Sequence, residues 1–351
     1  MNKKLKVAIN GFGRIGRAFL KIAWENPNIE VVAVNDLGSI ESLAYLLKYD
    51  TVYRTWGHSV RTEGSNGTGD QHLIIDEKKV RFISERDTAN LPWKDLDIDV
   101  VVESTGLFTS FEKASFHLDQ GAKRVVISAP AKEDPSTGSG QAGETILMGI
   151  NEEKFGTCPI TSNASCTTNA ASPLISILHD ALGIEKAILN TVHGYTASQS
   201  LVDGPSKKDL REGRAAAQNI VPSSTGAAIA VTKAFPELTG LFDGISVRVP
   251  VPAGSIVDIT FISKKDTTAE EVNTILKQAS LDPKWQKIFA VTEEPLVSSD
   301  ILGNPHASIA DLAMTRVVGG NLVKVMGWYD NEMGYTSTLV EHVIKTGSTI
   351  K

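Results

Sequence analysis

The stretch LKVAINGFGRIG, residues 5–16, decides the fold of the first part of this chain. It begins as a short apolar strand and runs without a spacer into the glycine pattern GFGRIG. Apolar side chains then recur at helical spacing as far as residue 26. A second apolar run, IEVVAVND, ends at Asp36, 20 residues after Gly16. A strand, a glycine turn, a helix and a second strand ending in an acid together predict a dinucleotide-binding βαβ unit.

Each glycine of this turn has a separate physical role. Gly11 permits the tight turn, Gly13 lets the backbone approach a pyrophosphate, and Gly16 lets the helix pack closely on the strand. The helix N-terminus offers N–H groups and a partial positive charge to the phosphates. Asp36 would accept hydrogen bonds from an adenosine ribose and repel a 2′-phosphate, which favours NAD over NADP. The alternative is an ordinary strand–helix turn, because a glycine pattern alone is weak evidence.

Two further β-branched runs, residues 97–104 and 123–130, are typical of buried parallel strands. Small hydroxyl residues lie at the end of each run. Ligands of open α/β sheets bind at the carboxyl ends of the strands, so Thr105 and Ser128 are candidate cofactor neighbours. The alternative for each is a strand-end cap. The first part of the chain is thus predicted to be a Rossmann-type α/β domain.

The pattern changes in the second half of the chain. Residues 186–196, 245–263 and 309–331 read as strands and hairpins, with a GGN turn signal inside the last range. A helix with a hydroxyl cap and early acids is predicted over 267–279. The final amphipathic pattern, 335–347, predicts a C-terminal helix. This order predicts an α+β domain with a largely antiparallel sheet.

The length of 351 residues exceeds the size at which one hydrophobic core keeps growing, so two domains are expected. We place a Rossmann domain at 1–165 and a second domain at 166–334; the C-terminal helix, 335–351, can pack back on the first domain, but the pattern does not fix where it docks. Two glycine- and serine-rich stretches, 61–70 and 135–144, are typical of surface loops or hairpin tips.

Composition narrows the class of protein. A hydrophobic fraction of 41%, a charged fraction of 22% and a net charge of −6 indicate a globular chain without a basic field for nucleic acid or an anionic membrane. No apolar run approaches the roughly 18 residues that span a bilayer, and the start MNKKLKVAING lacks the apolar region of a signal peptide. The two cysteines, Cys158 and Cys166, fit neither a redox pair nor a zinc site, so we expect no metal and a cytoplasmic protein.

Cys166 lies in an unusual setting for a core cysteine. Its stretch, TSNASCTTNA (161–170), is rich in hydroxyl side chains, and Cys166 directly precedes a helical pattern over 167–183. A thiol at a helix N-terminus has a lowered pKa, and a neighbouring imidazole lowers it further. His193, late in a strand-like run, is the candidate partner; the alternative is a structural histidine. Pro173 predicts a kink in this helix or a later start.

Read together, the motifs of this chain resemble one family. INGFGRIGR, SNASCTTN, TVHGYTASQ, GRAAAQNIVPSSTGAA, ISVRVPVP and WYDNEMGY occur in the order found in phosphorylating glyceraldehyde-3-phosphate dehydrogenases. The resemblance runs from residue 5 to about residue 340. It implies a Rossmann-type NAD domain, a mixed α/β catalytic domain, a C-terminal helix that returns to the first domain, and a homotetramer.

The resemblance implies roles for individual residues. Cys166 matches the nucleophile and His193 matches the base that activates it. Thr196 and Arg248 match ligands of the substrate phosphate. The site of the attacking inorganic phosphate corresponds, together with Arg248, to Ser165, Thr167, Thr225 and Gly226. The cofactor contacts correspond to Arg14, Ile15, Asp36, Arg86, Thr105, Ser128 and Asn331, the last on the nicotinamide amide.

The implied reaction oxidises glyceraldehyde 3-phosphate, with NAD and inorganic phosphate, to 1,3-bisphosphoglycerate through a cysteine thiohemiacetal and thioester. One alternative is a sister enzyme for erythrose 4-phosphate, against which Thr196 and Arg248 argue. The other is a dinucleotide-binding scaffold without catalysis, against which the presence of Cys166 and His193 argues. Arg248 taken alone could be a structural ion-pair partner, and Asn331 a turn residue.

Overall fold

The fold is that of a computed structural model, which describes residues 4–64, 71–131, 143–206 and 209–350. Most of the glycine-rich stretches of the sequence, 65–70 and 135–142, lie outside these ranges. Internal contacts divide the chain into two units. Unit 1 comprises Met1–Ile146, Glu152–Ala164 and Leu339–Lys351, and unit 2 comprises Leu147–Asn151 and Ser165–Thr338.

Unit 1 is built on a nine-stranded sheet. Its central strands are parallel and buried on both faces, as the apolar runs VAIN and VVVE require. The sheet order is β10-β11-β9-β8-β1-β2-β7-β6-β5, with β6 antiparallel to both neighbours, and β3 and β4 form a separate ribbon. The strands are β1 Leu5–Asn10, β2 Ile29–Asn35, β3 Tyr49–Asp50, β4 Arg54–Thr55, β5 Val60–Glu63, β6 Gln71–Ile75, β7 Lys78–Ile83, β8 Val100–Glu103, β9 Arg124–Ile127, β10 Gly143–Thr145 and β11 Ile160–Ser162.

The helices of unit 1 complete the Rossmann-type arrangement that the sequence predicts. They are α1 Arg14–Trp24, α2 Ile40–Lys48, α3 Phe111–Ala114 and α4 Phe116–Asp119. Strand β8 is shorter than the predicted run 97–104. It begins only at Val100 because Asp97 adopts a left-handed conformation, φ 51°, which extended backbone does not allow.

Unit 2 contains an eight-stranded mixed sheet that is largely antiparallel, as predicted. Only β12–β14 and β16–β17 are parallel pairs. The order is β13-β14-β12-β15-β19-β17-β16, and β18 pairs with β19. The strands are β12 Ile184–Gly194, β13 Val221–Ser224, β14 Phe242–Val249, β15 Ser255–Ser263, β16 Phe289–Thr292, β17 Ser308–Asp311, β18 Arg316–Val318 and β19 Leu322–Tyr329.

One predicted hairpin in unit 2 is right and another is wrong. Gly319 and Gly320 have φ of 61° and 82° and connect β18 to β19, as a two-residue turn of this kind requires. Within 245–263, however, β14 and β15 do not pair, because β12 lies between them. Pro250 and Pro252 in the connection lack the N–H groups that hairpin pairing needs.

The remaining helices are α5 Cys166–Leu182, α6 Ala227–Thr232, α7 Ala269–Leu281 and α8 Met333–Ser348. The predicted later start of α5 is wrong: the helix begins at Cys166 and continues through Pro173. Most of α5 is buried, and this packing outweighs the roughly 3 kcal/mol that an internal proline costs. Within the described ranges, no helix is long and apolar enough to cross a membrane.

His342 of α8 is a fully buried histidine in unit 1. Its Nε2 lies 2.7 Å from Thr161 Oγ1, its Nδ1 lies 3.2 Å from Asn163 Oδ1, and the Phe155 ring packs edge-on 4.9 Å away. Burial lowers the pKa of His342 to about 3. The imidazole is therefore neutral in the folded protein at neutral pH.

We expect acid to destabilise the protein through His342. Below pH 6.5 the unfolded chain protonates this side chain and the folded chain does not, so stability falls as pH falls from 6.5 toward 3. At pH 5 the loss from this one group is about 2 kcal/mol. Urea unfolding of wild type and His342→Gln at pH 7 and pH 5 measures it. The variant should lose less stability than wild type between these pH values; equal losses would contradict the prediction.

Candidate active site

Cys166 is the first residue of α5, and the backbone turns just before it. Ala164 makes the turn with φ 55°, a left-handed conformation that is uncommon for a residue other than glycine. Ser165 caps the helix: its hydroxyl accepts a hydrogen bond from Thr168 N at 3.1 Å. The turn and the cap together fix the Cys166 thiol at the N-terminus of α5, where the helix dipole favours negative charge.

His193 faces this thiol from β12. Its Nε2 lies 3.4 Å from Cys166 Sγ, and its side chain is buried. The parallel register of β12 and β14 pairs His193 with Arg248. Sheet register and helix capping therefore bring together three side chains that are far apart in sequence: Cys166, His193 and Arg248.

The second ring nitrogen of His193, Nδ1, lies near both a hydrogen-bond acceptor and a hydrogen-bond donor, and it can pair with only one of them at a time. The Gly194 carbonyl oxygen and Arg248 Nη1 both lie 2.6 Å from His193 Nδ1. If Nδ1 carries the hydrogen, it donates to Gly194, and the lone pair of Nε2 faces the thiol. If Arg248 donates to Nδ1, the hydrogen is on Nε2 and points at the sulfur. The position of Arg248 thus decides whether His193 presents a base to Cys166.

The surroundings shift both pKa values of the pair. Burial, followed by the Arg248 guanidinium, lowers the pKa of His193 to about 3. Burial raises the pKa of the Cys166 thiol, and the charge of Arg248 opposes that rise. The lowered thiol pKa predicted from the helix N-terminus is therefore wrong for this arrangement, because desolvation is the larger effect. A neutral imidazole next to a neutral thiol can take its proton as the sulfur attacks a substrate.

Tyr329, at the end of β19, is a member of the site that sequence reasoning missed. Its hydroxyl lies 3.0 Å from Thr167 Oγ1 and 2.7 Å from Thr191 Oγ1, and its ring packs edge-on 5.9 Å from the His193 ring. Burial raises the pKa of Tyr329, which keeps the phenol protonated. It therefore connects the Cys166 helix with the His193 strand. The only signal in the sequence is its place two residues before Asn331.

The candidate phosphate ligands are only partly brought together. Arg248 Nε is a buried donor without a hydrogen-bond partner among the described residues, which suits an anion. Thr196 Oγ1 lies 3.0 Å from Ser198 Oγ, a second hydroxyl that sequence reasoning did not include. Thr225 accepts a hydrogen bond from Ala227 N at 3.2 Å, at the start of α6.

Thr225 lies between β13 and α6, and its neighbour Gly226 caps α6. The β13–β14 register places Val221, and not Thr225, opposite Arg248. The hydroxyls of Ser165 and Thr167 already serve the helix cap and Tyr329. The phosphate-binding roles of these residues therefore remain predictions.

The glycine turn in unit 1 has the shape that a dinucleotide needs. Gly11 has φ 93°, and a Cβ there would lie 2.6 Å from Thr105 N; a Cβ on Gly16 would lie 2.2 Å from the Gly11 carbonyl oxygen. Beside Gly13, in contrast, a Cβ would meet nothing within 4 Å. No side chain caps α1 and no acid lies in its first turn. The turn is thus closed on the protein side, and its exposed side can accept a pyrophosphate.

The other candidate cofactor residues lie mainly at the carboxyl ends of the unit 1 strands. The Asp36 carboxylate, after β2, accepts hydrogen bonds from Phe12 N at 2.7 Å and Gly38 N at 2.8 Å, which fixes it against the glycine turn. In unit 2, Asn331 Oδ1 accepts from Gly254 N at 2.9 Å. Arg14 and Ile15 begin α1, exposed Arg86 follows β7, and Thr105 and Ser128 follow β8 and β9.

In the part of the chain that the structure describes, no cluster of three or more His, Cys, Asp or Glu side chains could hold a metal ion. A dinucleotide-binding unit, combined with a thiol–imidazole pair in a second unit, defines a class of protein: the NAD-linked dehydrogenases that oxidise aldehydes through a cysteine.

Comparison with known proteins specifies the family within this class. Residues 5–111 match the family model of the glyceraldehyde 3-phosphate dehydrogenase NAD binding domain, and residues 165–331 match that of its C-terminal domain. The chain is 46% identical over 339 residues to glyceraldehyde-3-phosphate dehydrogenase of Geobacillus stearothermophilus, covering 96% of each chain. It is 45% identical over 346 residues to glyceraldehyde-3-phosphate dehydrogenase 3 of Saccharomyces cerevisiae, covering 97% of this chain and 99% of the relative. The chain belongs to the glyceraldehyde-3-phosphate dehydrogenase family.

Proposed function

We propose that this protein converts D-glyceraldehyde 3-phosphate, inorganic phosphate and NAD to 1,3-bisphosphoglycerate and NADH in glycolysis. The observation that carries the proposal is the 3.4 Å approach of the Cys166 thiol to the His193 imidazole beside a buried arginine donor. Family membership and the closed glycine turn of unit 1 support it. No feature of the site favours a second function.

Cys166 forms a C–S bond with the aldehyde carbon as His193 takes the thiol proton, and the carbonyl oxygen becomes the hydroxyl of a thiohemiacetal. His193 then removes the hydroxyl proton as the carbon loses a hydride and becomes a thioester. NAD supplies the hydride acceptor when it is bound. Inorganic phosphate attacks the thioester carbon, the C–S bond breaks, and Cys166 leaves to regain its proton. The chain thereby returns to its starting state.

Arg248 connects anion binding with the state of His193. A phosphate oxygen competes for its guanidinium, since charge-assisted hydrogen bonds to phosphate are stronger than those to a neutral imidazole. Once Arg248 turns to the anion, His193 Nδ1 donates to the Gly194 carbonyl oxygen and Nε2 becomes the base for Cys166. Substrate binding thus selects the reactive tautomer. Thr196 and Arg248 would hold the substrate phosphate, and Ser165, Thr167, Thr225 and Gly226 would assist the attacking phosphate.

We assign NAD binding to unit 1 and substrate binding to unit 2, with a domain division of 1–165 plus 335–351 against 166–334. The ranges matched by the two family models support this division. The internal contacts differ from it slightly: they group 147–151, Ser165 and 335–338 with unit 2. The residues that would hold NAD are Gly11, Gly13, Arg14, Ile15, Gly16, Asp36, Arg86, Thr105 and Ser128 in unit 1 and Asn331 in unit 2.

Substrate and phosphate dependence test the reaction. NADH formation is measured with NAD and either glyceraldehyde 3-phosphate or erythrose 4-phosphate, each with and without inorganic phosphate. We expect phosphate-dependent turnover with a higher kcat/KM for the triose. A higher kcat/KM for erythrose 4-phosphate would mean that the tetrose, and not the triose, is the substrate. If folded protein that binds NAD showed no turnover with either sugar, the proposed enzymatic function would be wrong.

A cytoplasmic homotetramer is part of the proposal. One face of the unit 2 sheet supports it, because large apolar side chains on that face are exposed: Ile188 at 59%, Ile245 at 53% and Leu322 at 40%. Ile188 and Leu322 line one groove together with Leu241 and Ile262. Apolar patches of this kind on a sheet face mark protein–protein contacts, and a second copy of the same face can cover this one.

We expect Ile188→Glu to reduce the assembly to a smaller species. A carboxylate in the apolar groove would be buried without a partner in the assembled form, which destabilises the contact. Light scattering after size-exclusion chromatography gives the mass in solution. Wild type should have the mass of four chains, and Leu281→Glu, a change at an exposed leucine of α7 outside this face, should keep it. A tetrameric Ile188→Glu variant would show that this face is not the interface.

A further inference from the structure

Glu103, the last residue of β8, is a buried acid with no role in the reaction described above. Only 2% of its surface is exposed. Its Oε2 accepts hydrogen bonds from Asn10 Nδ2 at 2.6 Å and His117 Nε2 at 3.0 Å. Its Oε1 accepts from the backbone N of Thr105 at 2.9 Å and from the Thr105 hydroxyl. Four donors thus converge on one carboxylate.

The arrangement of donors requires Glu103 to be an acceptor on both oxygens. His117 Nδ1 accepts a hydrogen bond from Trp93 Nε1 at 2.9 Å, so the imidazole hydrogen lies on Nε2 and points at Glu103. Burial lowers the pKa of His117, in agreement with a neutral ring. A protonated carboxyl or a glutamine amide would oppose a donor to at least one of these groups.

Asn10 extends the network to the neighbouring strands. Its Oδ1 accepts from Asn35 Nδ2 at 2.8 Å. Asn35, at the end of β2, also exchanges two hydrogen bonds with the Glu85 backbone: its Nδ2 donates to the carbonyl oxygen at 3.1 Å and its Oδ1 accepts from the N–H at 3.0 Å. Asn10 and Asn35 are also almost fully buried. A continuous chain of hydrogen bonds, buried as far as Asn35 and partly buried at Glu85, therefore runs from Glu103 to the segment after β7.

Each end of this network adjoins a residue that the proposed function assigns to NAD. Asn10 precedes Gly11, Glu85 precedes Arg86, and Thr105 is itself bound by Glu103. These three segments come from three strands. Ser104 Oγ also links two of them, because it donates to the Gly11 carbonyl oxygen at 2.6 Å, and the network through Asn10 and Asn35 extends this link to the Glu85 segment. We infer that Glu103 is a positioning residue for NAD: through Asn10, Asn35 and Thr105 it sets the relative positions of three cofactor-binding segments. This inference rests on the proposed use of NAD by unit 1.

The test variant is Glu103→Gln, and the probe is NAD itself, measured by calorimetry on the full-length protein without substrate. We expect the Kd for NAD to rise about 10- to 100-fold, because a buried donor is left unsatisfied in the binding framework. The KM for NAD should rise similarly, while kcat at saturating NAD and the KM for the aldehyde change less than about threefold. Hydrogen exchange should increase at residues 84–87 and 104–107.

Asp99→Asn is the matched control. Asp99 is a buried carboxylate at the other end of β8, where it accepts from Lys6 N at 2.9 Å and from Lys123 Nζ at 2.7 Å, away from the cofactor segments. The Asp99→Asn variant should have a lower free energy of unfolding than wild type, while its Kd for NAD should stay near the wild-type value. Should Glu103→Gln not fold, Asn35→Ala, which releases the Glu85 segment, should weaken NAD binding about fivefold or more.

The outcomes separate the inference from the proposed function. Wild-type protein that does not bind NAD would remove the basis of both. If wild type binds NAD, and folded Glu103→Gln or Asn35→Ala binds it equally well, the positioning role is wrong. Equal weakening by Asp99→Asn and Glu103→Gln would assign the effect to general destabilisation of β8 and would also overturn the inference.

Discussion

Replacing Cys166 with serine should lower turnover by about 10⁴-fold or more, since removal of a nucleophile eliminates the covalent route and leaves only binding effects. A serine hydroxyl is a far weaker nucleophile than a thiol and a far weaker acid, so His193 removes its proton much less readily. The change removes no hydrogen bond that supports the fold, and the Ser165 cap of α5 remains. Steady-state NADH formation measures the effect, and calorimetry with NAD shows whether the variant retains cofactor binding.

Cys158→Ser is the natural control because Cys158 is the only other cysteine. It is buried in unit 1, where its thiol donates to the Ile160 carbonyl oxygen at 3.1 Å, an interaction that serine can keep. We expect turnover within about twofold of wild type for this variant. If instead Cys166→Ser retained substantial turnover, or Cys158→Ser lost it, Cys166 would not be the nucleophile.

His193→Asn should lower kcat by about 10²- to 10⁴-fold, the usual contribution of a general base. Asparagine can keep a hydrogen bond to the Gly194 carbonyl oxygen but cannot accept a proton from Cys166 at neutral pH. The Kd for NAD should be unchanged. Alkylation of Cys166 by iodoacetamide gives a second readout, and it should slow in the variant because no base assists loss of the thiol proton.

Measuring alkylation with and without inorganic phosphate tests the role of His193 more specifically. In wild type, inorganic phosphate should accelerate alkylation as Arg248 leaves His193 Nδ1, whereas His193→Asn should show no such acceleration. His58→Asn, a change in unit 1 outside the site, controls for the loss of a histidine. Alkylation that is equally fast in wild type and His193→Asn would contradict the role of His193 as the base.

Local patterns in the sequence predicted much of the fold. The glycine turn, the alternation of strand and helix in unit 1 and the two-glycine hairpin of unit 2 depend on residues adjacent in sequence. Two wrong predictions, the later start of α5 and the hairpin between β14 and β15, have causes that lie far away in the sequence. Packing on both sides of α5 overrode Pro173, and β12 was inserted between β14 and β15 by pairing with partners more than 50 residues away.

In the candidate site, too, features set by neighbouring residues could be predicted, and features set by distant residues could not. The placement of Cys166 at a helix N-terminus followed from its neighbours, and its pairing with His193 was a hypothesis that sheet register made geometrically possible. The thiol pKa could not be predicted because it depends on burial. Tyr329 was missed because both of its partners, Thr167 and Thr191, lie far away in the sequence. Glu103 was missed because its connection to the glycine turn depends on Asn10, which lies 93 residues away.

The most direct test of the mechanism is a single-turnover experiment with excess NAD and glyceraldehyde 3-phosphate in the absence of inorganic phosphate. We predict a rapid burst of one NADH per Cys166, after which the reaction nearly stops with the thioester in place. Adding phosphate should restart it, and mass spectrometry of the stalled protein should find the acyl group on the peptide that contains Cys166. A steady rate independent of phosphate, or an acyl group on another residue, would contradict the account.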